Sequence, residues 1–96
     1  MPYSMAILKV ADFSKWKENF DSEESKNARR QASEKSYMIL HTVEDHNRFV
    51  LLNEWKDEKK VAEFFQSDIL KELQKDSGVI EKPEMFVFGK VEQGSV

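Results

Sequence analysis

Short apolar runs separated by longer polar stretches set the pattern of this chain. Four runs of four residues stand out: Met5-Ala6-Ile7-Leu8, Tyr37-Met38-Ile39-Leu40, Phe49-Val50-Leu51-Leu52 and Met85-Phe86-Val87-Phe88. Each has strand length, and three of them are rich in β-branched or aromatic side chains that pack well on a pleated surface. Glu44-Asp45-His46-Asn47, between the second and third runs, is polar and of hairpin-loop length, so those strands should pair antiparallel. After Val10-Ala11, Asp12 is a good helix N-cap, followed by Phe13, Trp16 and Phe20 at helical spacing. Ala28 and Ala32 continue that stripe more weakly, which predicts one helix over roughly 12–32. Asp57 can cap a second helix with Val61, Phe64 and Phe65 inward. Ser67 can cap a short third with Ile69, Leu70 and Leu73 inward, ending near Gly78. Pro83 precedes the last strand, at an entry position that needs no amide donor.

The predicted order is β-α-β-β-α(α)-β, an α+β ferredoxin-like arrangement of one four-stranded antiparallel sheet with its helices on one face. The domain spans 1–92, and 93–96 read as a C-terminal tail. A sheet with one wet face should alternate apolar and polar residues, yet all four runs are apolar on both faces. Exposing about six outward side chains would forgo on the order of 10 kcal/mol, at ~1.5–3 kcal/mol each. That equals the net stability of a typical domain, about 5–15 kcal/mol. No residues remain to cover the second face, so a second copy of the sheet is the expected cover.

Composition narrows the function classes. Fifteen Lys plus Arg against 18 Asp plus Glu give a net charge of −3, which argues against a nucleic-acid partner. Without cysteine there is no disulfide, thiolate nucleophile, Fe–S cluster or Cys-type zinc site. No apolar run exceeds four residues, far below the ~18 of a membrane helix. Met1-Pro2-Tyr3-Ser4-Met5 lacks the charged start of a signal peptide, so a cytoplasmic location is the default expectation. The mixed-sign stretches Asp21-Ser22-Glu23-Glu24 and Lys56-Asp57-Glu58-Lys59-Lys60 read as solvated helix faces. Arg29-Arg30, with Lys26 and Lys35, forms a modest basic patch.

Three features resemble a known family: the opening Met1-Pro2-Tyr3, Lys9-Val10 followed by Asp12-Phe13-x-x-Trp16-Lys17, and Glu54-Trp55-x-Asp57. Over about Pro2 to Glu92 they look like the antibiotic-biosynthesis-monooxygenase-like domains of the dimeric α/β-barrel superfamily. The resemblance implies two ferredoxin-like sheets packed face to face in a homodimer, as the two-sided apolar strands require independently. It leaves activity open, since the superfamily includes quinol and polyketide oxygenases, haem degraders and isomerases. Haem-degrading members carry a ligating His on the helix after the third strand. Phe64 stands at the corresponding place here and cannot hold iron.

Candidate chemistry is sparse. His41 and His46 are the two histidines; His46 falls in the predicted turn and reads as solvated, whereas His41 lies on the second strand, where imidazole can serve as acid, base or ligand. No spaced ligand set, phosphate loop or nucleophile elbow is present, so neither a metal nor a cofactor is expected. Strand alternation places Phe49, Leu51, Asn53 and Trp55 on one face, and Tyr37, Ile39, His41 and Val43 together. If these faces coincide, Tyr37, His41, Asn53 and Trp55 form a polar-aromatic cluster on an apolar wall, as in small-molecule pockets. The bland alternatives are core packing for Trp55 and Trp16, and structural hydrogen bonds for Asn53 and His41. The resemblance implies a cofactor-independent oxygenase acting on a small aromatic or quinol-type ligand, with His41 as base, Asn53 as oxyanion donor, and Tyr37 and Trp55 lining the pocket. The alternative is a homodimer that binds a ligand without catalysis, or one with a filled pocket and a structural role.

Overall fold

Asp12 begins the first helix as its spacing requires, accepting from the amides of Ser14 and Lys15. The helix over 12–32 is not continuous, however. It ends at Phe20, and Ser22 starts a second helix by accepting from the Ser25 amide. The acidic Glu23 and Glu24 then lie in the new first turn, and Arg29 and Arg30 in its last, in line with the helix dipole. The apolar stripe runs on through the break because each helix buries part of it, Trp16 and Phe20 in the first and Ala28 in the second.

The computed structural model of the chain describes residues 1–76 and 78–96. In order the elements are β1 (Pro2–Lys9), α1 (Phe13–Phe20), α2 (Glu23–Gln31), β2 (Glu34–His41), β3 (Arg48–Trp55), α3 (Glu58–Phe65), α4 (Asp68–Asp76) and β4 (Glu84–Gly89). The strands make one antiparallel sheet in the order β2-β3-β1-β4, the ferredoxin-like topology. Thr42–Asn47 form the β2–β3 turn, closed by Thr42 N–H donating to Arg48 O and Arg48 N–H to Asp45 O. Gly78 sits after α4 with a φ of +77°, a left-handed conformation that glycine adopts without strain.

Register sorts the strand faces. Tyr37 pairs with Asn53, Ile39 with Leu51 and His41 with Phe49, so the two faces considered above do coincide. That side, with Ser4, Ala6 and Leu8 of β1, packs under the helices. Its core is Leu8, Val10, Trp16, Phe20 and Phe49, and a second cluster joins Ala32, Trp55 and Val61, with Phe64 and Phe65 against it. The opposite side carries Met5, Ile7, Met38, Leu40, Val50, Leu52, Phe86 and Phe88. Met38, Leu40, Phe86 and Phe88 there remain between 43% and 57% exposed, a continuous apolar surface that none of the described residues covers.

One turn couples the two halves of the domain. Ser33, at φ +79°, is a non-glycine residue in the left-handed region. Its hydroxyl accepts from the Asp57 amide at 2.9 Å, and its carbonyl accepts from the Lys56 amide at 3.0 Å. The α2–β2 junction is thereby tied to the β3–α3 junction. This tie places Glu34 beside the end of β3.

A candidate small-molecule site between sheet and helices

Small residues on a central strand create the space for a site. Ser4 and Ala6 face the helices from β1, where larger side chains would fill the gap between sheet and helices. The result is a cavity of about 90 Å³. A cavity of about 150 Å³ is enough to take benzene, so this one encloses part of a single aromatic ring, with the remainder of a ligand lying at its open side. Phe20, Trp16, Phe64, Phe65, Leu70, Leu73, Leu51 and Met85 supply most of the wall, and Ser4, Asn19, Ser25, Arg29, Asn53 and Gln74 add polar groups.

A chain of hydrogen bonds runs along the polar side, and its direction is determined. Trp55 Nε1–H can only donate, and does so to Ser4 Oγ at 2.8 Å. The Ser4 hydroxyl proton goes to Asn53 Oδ1 at 3.4 Å. Asn53 Nδ2 donates to Glu34 Oε2 at 2.7 Å. Arg29 Nη1 lies 3.4 Å from both Glu34 oxygens, while Nη2 donates to Phe20 O at 2.9 Å and Nε to Ser25 O at 3.3 Å. The Asn53 amide therefore cannot flip, and its second Nδ2–H has no acceptor among the described residues.

Burial governs the charges. Arg29 is 6% exposed and Asn53 5%. Desolvation pushes the Glu34 carboxyl above its ordinary range, opposed by the Arg29 charge and the Asn53 hydrogen bond. The same desolvation lowers the Arg29 guanidinium from its usual value, opposed chiefly by Glu34. Arg29 Cζ also sits over the Phe20 ring, 3.6 Å from its centroid, and 5.5 Å from that of Tyr37.

The four residues singled out from the sequence separate here. Asn53 and Trp55 both line the cavity and are joined through Ser4. Trp55 also serves the core, packing against Phe64 and Phe65 with ring centroids 5.9 and 6.1 Å apart. Tyr37 is half exposed beyond Arg29, edge-on to Phe20 at 5.0 Å, and is not among the lining residues. His41 is four positions further along β2, about 13 Å at ~3.3 Å per residue. It is exposed, stacked on His46 with centroids 4.0 Å apart, and does not line the cavity.

Two residues of the site escaped the sequence reading. The sequence groups Arg29 with Arg30, Lys26 and Lys35 in a modest basic patch, but α2 turns it inward on the same side as Ser25 and Ala28. Glu34 is the first residue of β2 and precedes the apolar run that marked the strand. The Ser4-x-Ala6 alternation on β1 was the visible signal of a cavity.

The four-stranded sheet in the order β2-β3-β1-β4, with its helices on one side, defines a ferredoxin-like fold. Solved structures with that fold match over nearly the whole chain. SnoaB from Streptomyces nogalater, a cofactor-independent oxygenase, aligns with a TM-score of 0.72 at 11% identity, covering 96% of this chain and 93% of that one. A protein of Bordetella bronchiseptica provisionally assigned as an antibiotic biosynthesis monooxygenase gives 0.72 at 17% identity, covering 95% and 97%. One of Nitrosomonas europaea with the same provisional assignment gives 0.69 at 18%, covering 96% and 100%. The chain thus shares the fold of antibiotic-biosynthesis-monooxygenase-like proteins. No protein-family model matches the sequence, and no curated protein matches it.

Proposed function

We propose that the protein binds a small aromatic molecule in this cavity and oxygenates it without a cofactor. The observation that carries the reading is the fixed Asn53 amide, with one uncommitted Nδ2–H in an otherwise largely apolar cavity. A donor held in place before the substrate arrives can stabilise a developing oxyanion without reorganising. The described lining residues include no side chain that is a base at neutral pH, so the hydroxyl proton must leave to water while the cavity's donors hold the anion. An electron-rich phenol or quinol, with a hydroxyl pKa of about 10, reacts through its ionised fraction. In the simplest such reaction a naphthol and O2 give a naphthoquinone and water: one oxygen atom replaces the para hydrogen as a carbonyl, and the other leaves as water with the phenolic and ring hydrogens. All reducing electrons come from the substrate. His41 has no part in this reading, because it stands too far along β2. The fold likeness to a cofactor-independent oxygenase agrees with the reading.

The working unit is a homodimer closed by the uncovered face of Met38, Leu40, Phe86 and Phe88, which would make a barrel of two sheets. A second reading, ligand binding without turnover, is favoured by the same lack of a base in the cavity. Oxygen uptake with 1-naphthol separates the two. The first reading expects uptake above the protein-free rate and a drop in kcat of about 10²–10³-fold in Asn53→Ala, the usual effect of deleting an oxyanion donor. No uptake by the wild type, or none lost in Asn53→Ala, would reject it.

A further inference from the structure

We infer that the cavity takes its ligand as an anion, and that Arg29 is the residue that selects for the charge. This rests on the binding reading above, though not on turnover. Arg29 is the only cationic residue among the described cavity-lining ones, and it is buried with its guanidinium fixed on three sides. Of its five N–H groups, Nε serves Ser25 O, one Nη2–H serves Phe20 O, and Nη1 faces the two Glu34 oxygens. One Nη2–H is left without an acceptor among the described residues. The Glu34 contacts, at 3.4 Å, are long for a charge-assisted pair, which ordinarily closes to about 2.7–2.9 Å. Glu34 therefore neutralises Arg29 without saturating it. The pair has also been taken out of water, so a third charge brought into the cavity is poorly screened. An aromatic carboxylate, or a phenol bound as phenolate, supplies the missing acceptor and the balancing charge. Its ring then meets the Phe20, Phe64 and Trp16 walls. Glu34 opposes such a ligand electrostatically, and so sets how tightly an anion is held.

Benzoate and benzamide, alike in shape and different in charge, test this by calorimetric titration of the full-length protein at neutral pH. Benzoate should bind the wild type roughly ten-fold or more tightly than benzamide, as charged hydrogen bonds exceed neutral ones. Glu34→Gln keeps the shape and an acceptor for Asn53 and Arg29 while removing the opposing charge. It should tighten benzoate by about 3–10-fold and leave benzamide unchanged. Arg29→Met with Glu34→Gln removes both charges together, so that no ion is left buried alone, and should erase the preference for benzoate. Equal binding of the two compounds by the wild type, or a preference that survives the double substitution, would overturn the assignment to Arg29 while leaving the cavity a ligand site. Failure of both to bind a wild type that still takes up 1-naphthol would overturn the inference and leave the proposed function standing.

Discussion

Arg29→Met alone should be among the most damaging single substitutions in the domain, and the reason is the carboxylate it leaves behind. The two side chains of the pair are only 7% and 13% exposed. Methionine fills much of the same volume, but Glu34 then keeps a single partner, the Asn53 amide. Breaking one side of a buried ion pair costs about 3–5 kcal/mol. In a domain of this size each kcal/mol lowers Tm by about 4–8 °C, so the variant should melt at least ~12 °C below the wild type. The loss should depend on pH in a defined direction. Burial already raises the Glu34 carboxyl above its ordinary value of 4.5, and removing Arg29 deletes the main opposing influence. A carboxyl raised in the folded state contributes stability that is present below its unfolded pKa and lost as pH rises through the folded one. The deficit should therefore be largest at neutral pH and shrink as pH falls toward 4.5, where Glu34 takes up a proton. Adding Glu34→Gln should recover most of the loss at pH 7. Urea unfolding followed by tryptophan fluorescence at several pH values measures all three effects. A loss under about 1 kcal/mol at pH 7, or a deficit that grows on acidification, would show that Glu34 is not left as an unpaired buried charge.

Two other substitutions probe separate parts of the structure. Ser4→Ala strips the acceptor from the buried Trp55 indole and should cost about 1–3 kcal/mol in the same unfolding assay; a neutral result would mean that the indole finds another acceptor. Leu40→Glu places a charge on the uncovered sheet face, so sedimentation should change from about twice the 11.3 kDa chain mass to a folded monomer. A wild type that already sediments as a monomer would remove the second sheet from the account.

The strands and their order were legible because their apolar runs are short, separated and bounded by N-capping Asp and Ser residues. Asp12 and Asp57 both cap helices as their positions suggested. The break after Phe20 was harder to see. Ser22 lies within a mixed polar stretch, and the apolar stripe of α1 runs in phase into α2. The site was legible only in part for a related reason. Alternation along β3 put Asn53 and Trp55 on one face, and the register agrees. Alternation says nothing about distance along a strand, so His41 shared that face while ending about 13 Å away, at ~3.3 Å per residue. Charged residues mislead most, because the common case is solvated. Arg29 next to Arg30 carries no local mark of burial. Its role follows from the position of Phe20, Ser25 and Glu34 around it, which comes from the tertiary fold.

In the proposed reading the ligand enters on the helical side of the sheet, at Asn53. A titration of isotope-labelled protein with 1-naphthol under anaerobic conditions, followed by nitrogen–proton correlation spectra, locates it. The Asn53 side-chain amide and the Trp16 and Trp55 indole signals should move first and saturate together, since all three residues line the cavity. Shifts confined to Met38, Leu40 and Phe86 on the opposite face, with the Asn53 amide and both indoles unmoved, would contradict it.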